Sequence, residues 1–227
     1  YLNYEGTAKE RTYVTGSPMA EVLSANLEPI TSSDILERLG LEKGKYILLS
    51  AHREENIDTE TNFFNLMNAV NAMAEKYDMP ILYSCHPRSK KHIEQRGFKF
   101  DKRVIQNQPL GFHDYNQLQL NAFCVVSDSG TLPEESAFFS SKGMPIPAVC
   151  IRTSTERPEA LDKGVFILAG ITAEQVLQAV DTAVAMNRNG DLALDVPDYM
   201  DENVSTKVVK LIQSYTGVIN KMVWRKY

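Results

Sequence analysis

The sequence predicts an α/β fold built on a doubly wound parallel sheet, and three observations carry that prediction. From Lys45 onward, short apolar runs alternate with stretches of helical spacing. The runs are near-continuous rather than alternating, which marks strands buried on both faces. Several of them end in polar-rich segments, at the strand ends where open parallel sheets bind ligands.

The elements follow in order. Residues 46–51 (YILLSA) read as a buried strand. Residues 61–77 place apolar side chains at 63, 66, 67, 70, 73, 74 and 77, which is helical spacing. A strand over 80–86, a short helix over 89–96, a strand over 103–108 and a helix over 114–121 come next. The strand at 122–128 leads into a helix start at 131–139, and strands at 147–152 and 164–170 follow. Residues 172–188 read as a helix with Thr172 as N-cap and Glu174 in its first turn. At the amino end, YVTGSPMAEVL suggests a strand end, a Gly-Ser-Pro turn and a helix. The tail, 201–227, is helical in pattern, with Val218, Ile219, Met222, Val223 and Trp224 needing an apolar surface to cover.

Composition narrows the function classes. Hydrophobic residues make up 43% and charged residues 23%, the balance of a globular chain. A net charge of -5 argues against a nucleic-acid partner. No apolar run reaches the roughly eighteen residues of a membrane span. Cys85, Cys124 and Cys150 lie in or beside apolar runs without CxxC spacing, which reads as reduced thiols in a cytoplasmic protein. The four histidines (His52, His86, His92, His113) show no paired metal-ligand spacing, so a zinc site is not expected. The chain opens without a Met and reads as a fragment.

The ligand-binding edge selects the loops His52–Asn56, His86–Lys91, Gln106–His113, Ser127–Glu135 and Arg152–Glu159. In VVSDSGTLPEES a strand ends in Ser-Asp-Ser-Gly and a helix opens near Thr131, with Pro133 in its first turn. Free N–H groups and the helix dipole favour an anion there, Gly130 lets a phosphate approach, and Ser129 adds a hydroxyl. Glu134 and Glu135 either complement the dipole or turn one carboxylate to a vicinal diol such as a ribose. His52 and Arg53 offer an imidazole and a planar cation suited to phosphate oxygens, or else form an ordinary loop cap. Arg152 and Arg157, with Glu156 and Glu159, make either a surface ion-pair cluster or further cations for a diphosphate. His86, with Arg88, Lys90 and Lys91, reads as a solvated basic helix start or as more of the same edge. Phe112 and His113 could meet a base.

Three motifs, SAHREEN, SDSGTLPEES and IRTSTERPEALDKGVFILAG, together resemble the non-hydrolysing UDP-N-acetylglucosamine 2-epimerase family. That family shows an HRREN-like loop, an SDSGG-x-x-EE loop and a TERPE-x-x-x-x-G segment, here in the same order. The resemblance covers about residues 10–215. It implies two Rossmann-like domains in the glycosyltransferase-B arrangement, with a UDP-sugar between them and no metal. This chain would be the C-terminal half: residues 1–30 a crossover remnant, 31–200 the UDP-binding domain, and 201–227 a tail packing on the absent N-terminal domain. His52, as a catalytic group, and Arg53 would stand near the diphosphate. Ser129, Gly130 and Thr131 would form the phosphate loop, with Thr131 where many relatives have a second Gly. Glu135 would hold the ribose hydroxyls. Arg152, Glu156 and Arg157 match the third motif. His86 matches a histidine that meets a regulatory UDP-sugar in some relatives, although its CHPR context departs from theirs.

The implied reaction is elimination of UDP to a glycal and re-addition, with the proton-moving carboxylates in the absent half and the fragment inactive alone. The spelling SAHREEN, the SGT and the MVWRK ending lean to bacterial capsule and O-antigen enzymes making UDP-N-acetyl-L-fucosamine. UDP-GlcNAc/UDP-ManNAc interconversion is the other reading. The full-length protein is expected to be a homodimer. Rival readings are a UDP-sugar-dependent glycosyltransferase of the same fold, a non-catalytic nucleotide-sugar-binding domain, and a hydrolysing epimerase.

Overall fold

The computed structural model describes residues 2–154, 157–190 and 195–226. Among these residues six strands, β1 (Ile47–Ser50), β2 (Ile81–Ser84), β3 (Val104–Asn107), β4 (Cys124–Ser127), β5 (Ala148–Ile151) and β6 (Ile167–Ala169), form one sheet. Their order is β3-β2-β1-β4-β5-β6 and every pairing is parallel. The winding reverses between β1 and β4, where Ile47 is in register with Cys124 and Ser50 with Ser127. This is the switch point outside which such sheets bind ligands.

Among the described residues eleven α-helices frame the sheet: α1 (Met19–Ala25), α2 (Leu27–Thr31), α3 (Ile35–Leu39), α4 (Glu54–Ile57), α5 (Glu60–Tyr77) and α6 (Pro87–Arg96) come first. After them run α7 (Phe112–Asn121), α8 (Leu132–Ser141), α9 (Pro158–Leu161), α10 (Ala173–Arg188) and α11 (Val204–Met222). Because side chains alternate along a strand, Ile47 and Leu49 join α5 and α10 in one core, while Tyr46 and Leu48 face α3 and α7 in another. The β4–β5 part of that second face is closed by α1, α2 and α8, through Ala20, Leu23, Ile30, Phe138 and Phe139. Two-sided burial is why the strands read as continuous apolar runs.

Two of the long helices, α5 and α10, start where their caps dictate. The Thr59 hydroxyl accepts from Asn62 N–H to open α5, and Thr172 forms a reciprocal capping box with Gln175 at α10. Several predicted boundaries move. The strand read over 80–86 stops at Ser84, because His86 is the N-cap of α6 and its Nδ1 accepts from Arg88 N–H (3.3 Å). Helix α7 starts at Phe112, so Phe112 and His113 belong to its first turn. The strand end read in YVTGSPMAEVL does not form; Tyr13 instead stacks edge-on against Tyr215 of α11, ring centroids 5.1 Å apart. In α11 Val204 is buried, whereas Val209, Ile212, Val218 and Met222 are exposed, as is Trp224 just beyond it. No described helix is long and apolar enough to cross a membrane. All three cysteines are free and buried, and burial pushes their thiols up, that of Cys150 to about 11.

Candidate functional site

The carboxyl ends of β1, β4 and β5 are tied together by one carboxylate. Asp128, fully buried just after β4, accepts through Oδ2 from the backbone N–H of His52 (2.9 Å) and of Arg53 (2.8 Å). The same oxygen accepts from Asn56 Nδ2 (3.1 Å), which also donates to the carbonyl of Ile151 at the end of β5 (2.9 Å). The other oxygen, Oδ1, has no well-aligned hydrogen bond, and His52 Nδ1 lies 3.2 Å from it. The Arg53 side chain turns back, Nε donating to the Asp128 carbonyl (2.9 Å), so its guanidinium lies over the 129–131 loop. A Cβ added to Gly130 would stand 3.0 Å from Arg53 Nη2. Behind this loop the Ala51 carbonyl accepts from Tyr83 OH and Ser89 Oγ, both at 2.8 Å, which fixes the backbone that carries His52.

Asp128 and Asn56 lie inside the motifs read from the sequence, yet neither was singled out. The available signal was an Asp closing an apolar strand: a carboxylate in that position must find donors or forfeit its charge.

The loop after β4 is more internally bonded than a bare amide cradle. Ser129 N–H donates to Ser127 Oγ (3.0 Å) and Thr131 N–H to Ser129 Oγ (3.3 Å). Thr131 is the residue before α8, and Pro133 falls in the helix's first turn as expected. Glu134 accepts from Ser17 Oγ (2.6 Å), and Arg157 Nη2 lies 3.5 Å from it. Glu135 is buried; it accepts from Thr131 Oγ1 (2.8 Å) and Gln119 Nε2 (2.9 Å).

Burial raises the Glu135 pKa above its ordinary 4.5, and hydrogen bonds from Gln119 and Thr131 oppose that rise. The folded state therefore holds this proton more tightly than the unfolded chain does. The resulting stability is present below pH 4.5 and lost as pH rises through the folded value. Glu135→Gln is accordingly expected to raise Tm at pH 8 and to bring little gain at pH 4. Thermal melts at the two pH values check this, and an equal gain at both would contradict it.

The remaining sequence candidates divide. His52, Arg53, Glu54, Glu55, His86 and Arg88 line one open cleft of about 550 Å³, the two imidazole rings 6.3 Å apart. Arg88 is engaged by Glu54 and, at 2.8 and 2.9 Å, by Asp58. Arg152 is buried, its Nε on Glu55 Oε1 (2.9 Å), so it sits beneath the cleft rather than in a surface cluster. Arg157 lies over the ring of Tyr199 (5.8 Å) as well as near Glu134. His113 Nε2 is 2.8 Å from Asn26 Oδ1, and Phe112 packs edge-on against His113; neither lines the cleft. Glu156 lies outside the described residues. A second cavity, about 590 Å³, opens at the amino ends of β4 and β5 among Gly44, Asn121, Phe123, Pro147 and Arg188, opposite the switch-point edge. Among the described residues no three His, Cys, Asp or Glu side chains are grouped to hold a metal ion.

The family model for UDP-N-acetylglucosamine 2-epimerase matches residues 1–213. The chain belongs to the UDP-N-acetylglucosamine 2-epimerase family. Among solved structures, this family member is similar to the UDP-N-acetylglucosamine 2-epimerase of Rickettsia bellii, at 38% identity and a TM-score of 0.86. That match covers 100% of this chain and 59% of the other. It is also similar to the Methanocaldococcus jannaschii UDP-GlcNAc 2-epimerase solved in complex with UDP-GlcNAc and UDP, at 25% identity and a TM-score of 0.81, covering 94% of this chain and 57% of that one. Among curated sequences, the M. jannaschii UDP-N-acetylglucosamine 2-epimerase is 28% identical over 192 residues, 82% of this chain and 51% of the relative. The chain thus spans about half the length of the curated relatives it matches. The α/β sheet with its 3-2-1-4-5-6 order is the fold shared with these epimerase structures.

Proposed function

We propose that this chain supplies the UDP-binding half of a UDP-sugar C2-epimerase. The observation that carries the reading is the Asp128 pivot, which sets His52 and Arg53 beside the 129–131 loop at the switch point. In the reaction, the C1–O bond of the sugar breaks, its electron pair passes to the β-phosphate oxygen, and a base removes the C2 proton to leave a C1=C2 glycal. Reprotonation of C2 on the opposite face and re-addition of UDP to C1 complete the inversion. The charge that develops falls on a diphosphate, so groups that hold it contribute much of the rate. His52 and Arg53 face that leaving group, with Ser129, Gly130 and Thr131 around it. Glu135 takes the ribose hydroxyls, and Arg152 and Arg157 support the edge, Arg152 by holding Glu55.

The carboxylates that move the C2 proton belong to a further domain, on which the apolar face of α11 packs. The 227-residue chain then binds UDP without epimerising. The substrates of the whole protein are UDP-GlcNAc and UDP-ManNAc, or a 6-deoxy UDP-N-acetylhexosamine for bacterial surface polysaccharide, handled in the cytoplasm by a homodimer. No metal or other cofactor takes part.

The test is turnover of each UDP-sugar by the full-length protein in D2O. Deuterium at C2 of recovered UDP-sugar is the expected result. Transfer to an acceptor would make it a glycosyltransferase, free UDP with free sugar a hydrolysing epimerase, and binding without either a nucleotide-sugar-binding protein. Epimerisation by the 227-residue chain alone would overturn its assignment as a binding half.

A further inference from the structure

We propose that Thr131 is a positioning residue that sets how strictly this site demands a ribose over a deoxyribose, an inference that rests on Glu135 being the ribose acceptor. A hydroxyl has one proton to give. At Thr131 Oγ1 that proton goes to Glu135 Oε1, 2.8 Å away. The Ser129–Thr131 contact of 2.9 Å then has Ser129 Oγ as its donor. The three residues form a relay that runs one way, Ser129 to Thr131 to Glu135. It is fixed at its start by Thr131 N–H, which donates back to Ser129 Oγ at 3.3 Å.

Glu135 is held from its other side as well. Gln119 Nε2 donates to Oε2 at 2.9 Å and also reaches Asn116 Oδ1 at 3.1 Å, while its own Oε1 is buried without a partner. Each carboxylate oxygen therefore has one donor in place. A carboxylate has about four acceptor positions in all, so each oxygen keeps capacity for a further donor. Two adjacent hydroxyls need that capacity, one acceptor position on each oxygen. Burial works against the charge needed for this, and the hydrogen bonds from Gln119 and Thr131 to the buried Glu135 oppose that effect. Thr131 supplies one of those donors, and it also joins the carboxylate to the hydroxyl of the phosphate loop.

The probes are UDP and 2′-deoxy-UDP, titrated calorimetrically into the wild-type chain and into Thr131→Val, Thr131→Ser and Thr131→Ala. A site that hydrogen-bonds a substrate hydroxyl through a charged group rejects the analogue lacking it by about 10-fold or more. Wild type is expected to prefer UDP by about that factor. Thr131→Val, which keeps the shape and loses the donor, is expected to cut the preference to about 3-fold or less, because UDP loses more affinity than 2′-deoxy-UDP does. Thr131→Ser is expected to keep the wild-type preference. If Thr131→Val does not fold, as judged by its melt, Thr131→Ala is read in its place. An undiminished preference in the hydroxyl-free variant overturns the proposal, as does an equal loss for both nucleotides. A wild-type protein that binds both nucleotides equally overturns the ribose role of Glu135 itself. Failure to bind UDP at all removes the reading of the whole site and the proposal with it.

Discussion

Asp128→Ala is expected to destabilise the protein by about 3 kcal/mol, because it strands two backbone N–H groups and the Asn56 amide that share one buried oxygen. For a chain of this size that is a fall in Tm of roughly 6–12 °C. Asp128→Asn should lose far less, since the amide oxygen can take the place of Oδ2. Its effect is expected at His52 instead. In a neutral imidazole, a carboxylate oxygen 3.2 Å from Nδ1 favours the tautomer that carries its proton there. An amide NH2 facing Nδ1 reverses that tautomer. Side-chain 15N shifts of His52 in wild type and Asp128→Asn read this directly. A tautomer common to both proteins would mean that Asp128 holds the backbone of the loop and leaves the imidazole alone.

Arg53→Ala is expected to weaken UDP binding by about 10–100-fold, the loss that follows removal of a charged hydrogen-bonding partner from a phosphate. It should also flatten the salt dependence of binding, since a permanent cation has gone. Gly130→Ala separates this effect from damage to the fold. The new Cβ meets only the far end of the Arg53 side chain at 3.0 Å, so the guanidinium can shift while the backbone stays. Its Tm should change by no more than about 2 °C, with UDP affinity several-fold lower. Calorimetric titration of UDP at two salt concentrations checks both variants. Arg53→Ala binding UDP as well as wild type would remove the guanidinium from the site.

Much of this fold was legible because burial on both faces writes itself into composition. The runs at 46–51, 80–86 and 122–128 carry β1, β2 and β4, and α5 and α10 announce themselves by period, α10 also by the cap at Thr172. The ends of elements were less legible, because they depend on single side chains. His86 caps α6, and so ends as a helix signal what had the look of a strand residue. The site was legible as a set of loops and illegible as a set of bonds. His52, Arg53 and His86 converge on one cleft, but the residues that hold the constellation, Asp128, Asn56 and Gln119, have no periodic signature. Their roles come from which loops the 3-2-1-4-5-6 order makes neighbours, and that is a property of topology.

The same topology governs when the molecule can be assembled. β1 pairs on one side with β2, its next strand in the chain, and on the other with β4, which arrives only after β3 and α7. During synthesis Ile47 has no partner on that flank until Cys124 has emerged. A nascent chain can close the β1–β2–β3 half early, and it then carries a naked, strongly apolar strand edge, the feature that promotes wrongful pairing between molecules. Ribosome-bound chains stopped short of β4 should therefore be the aggregation-prone ones, and chains extended past Ser127 the ones that stay dispersed.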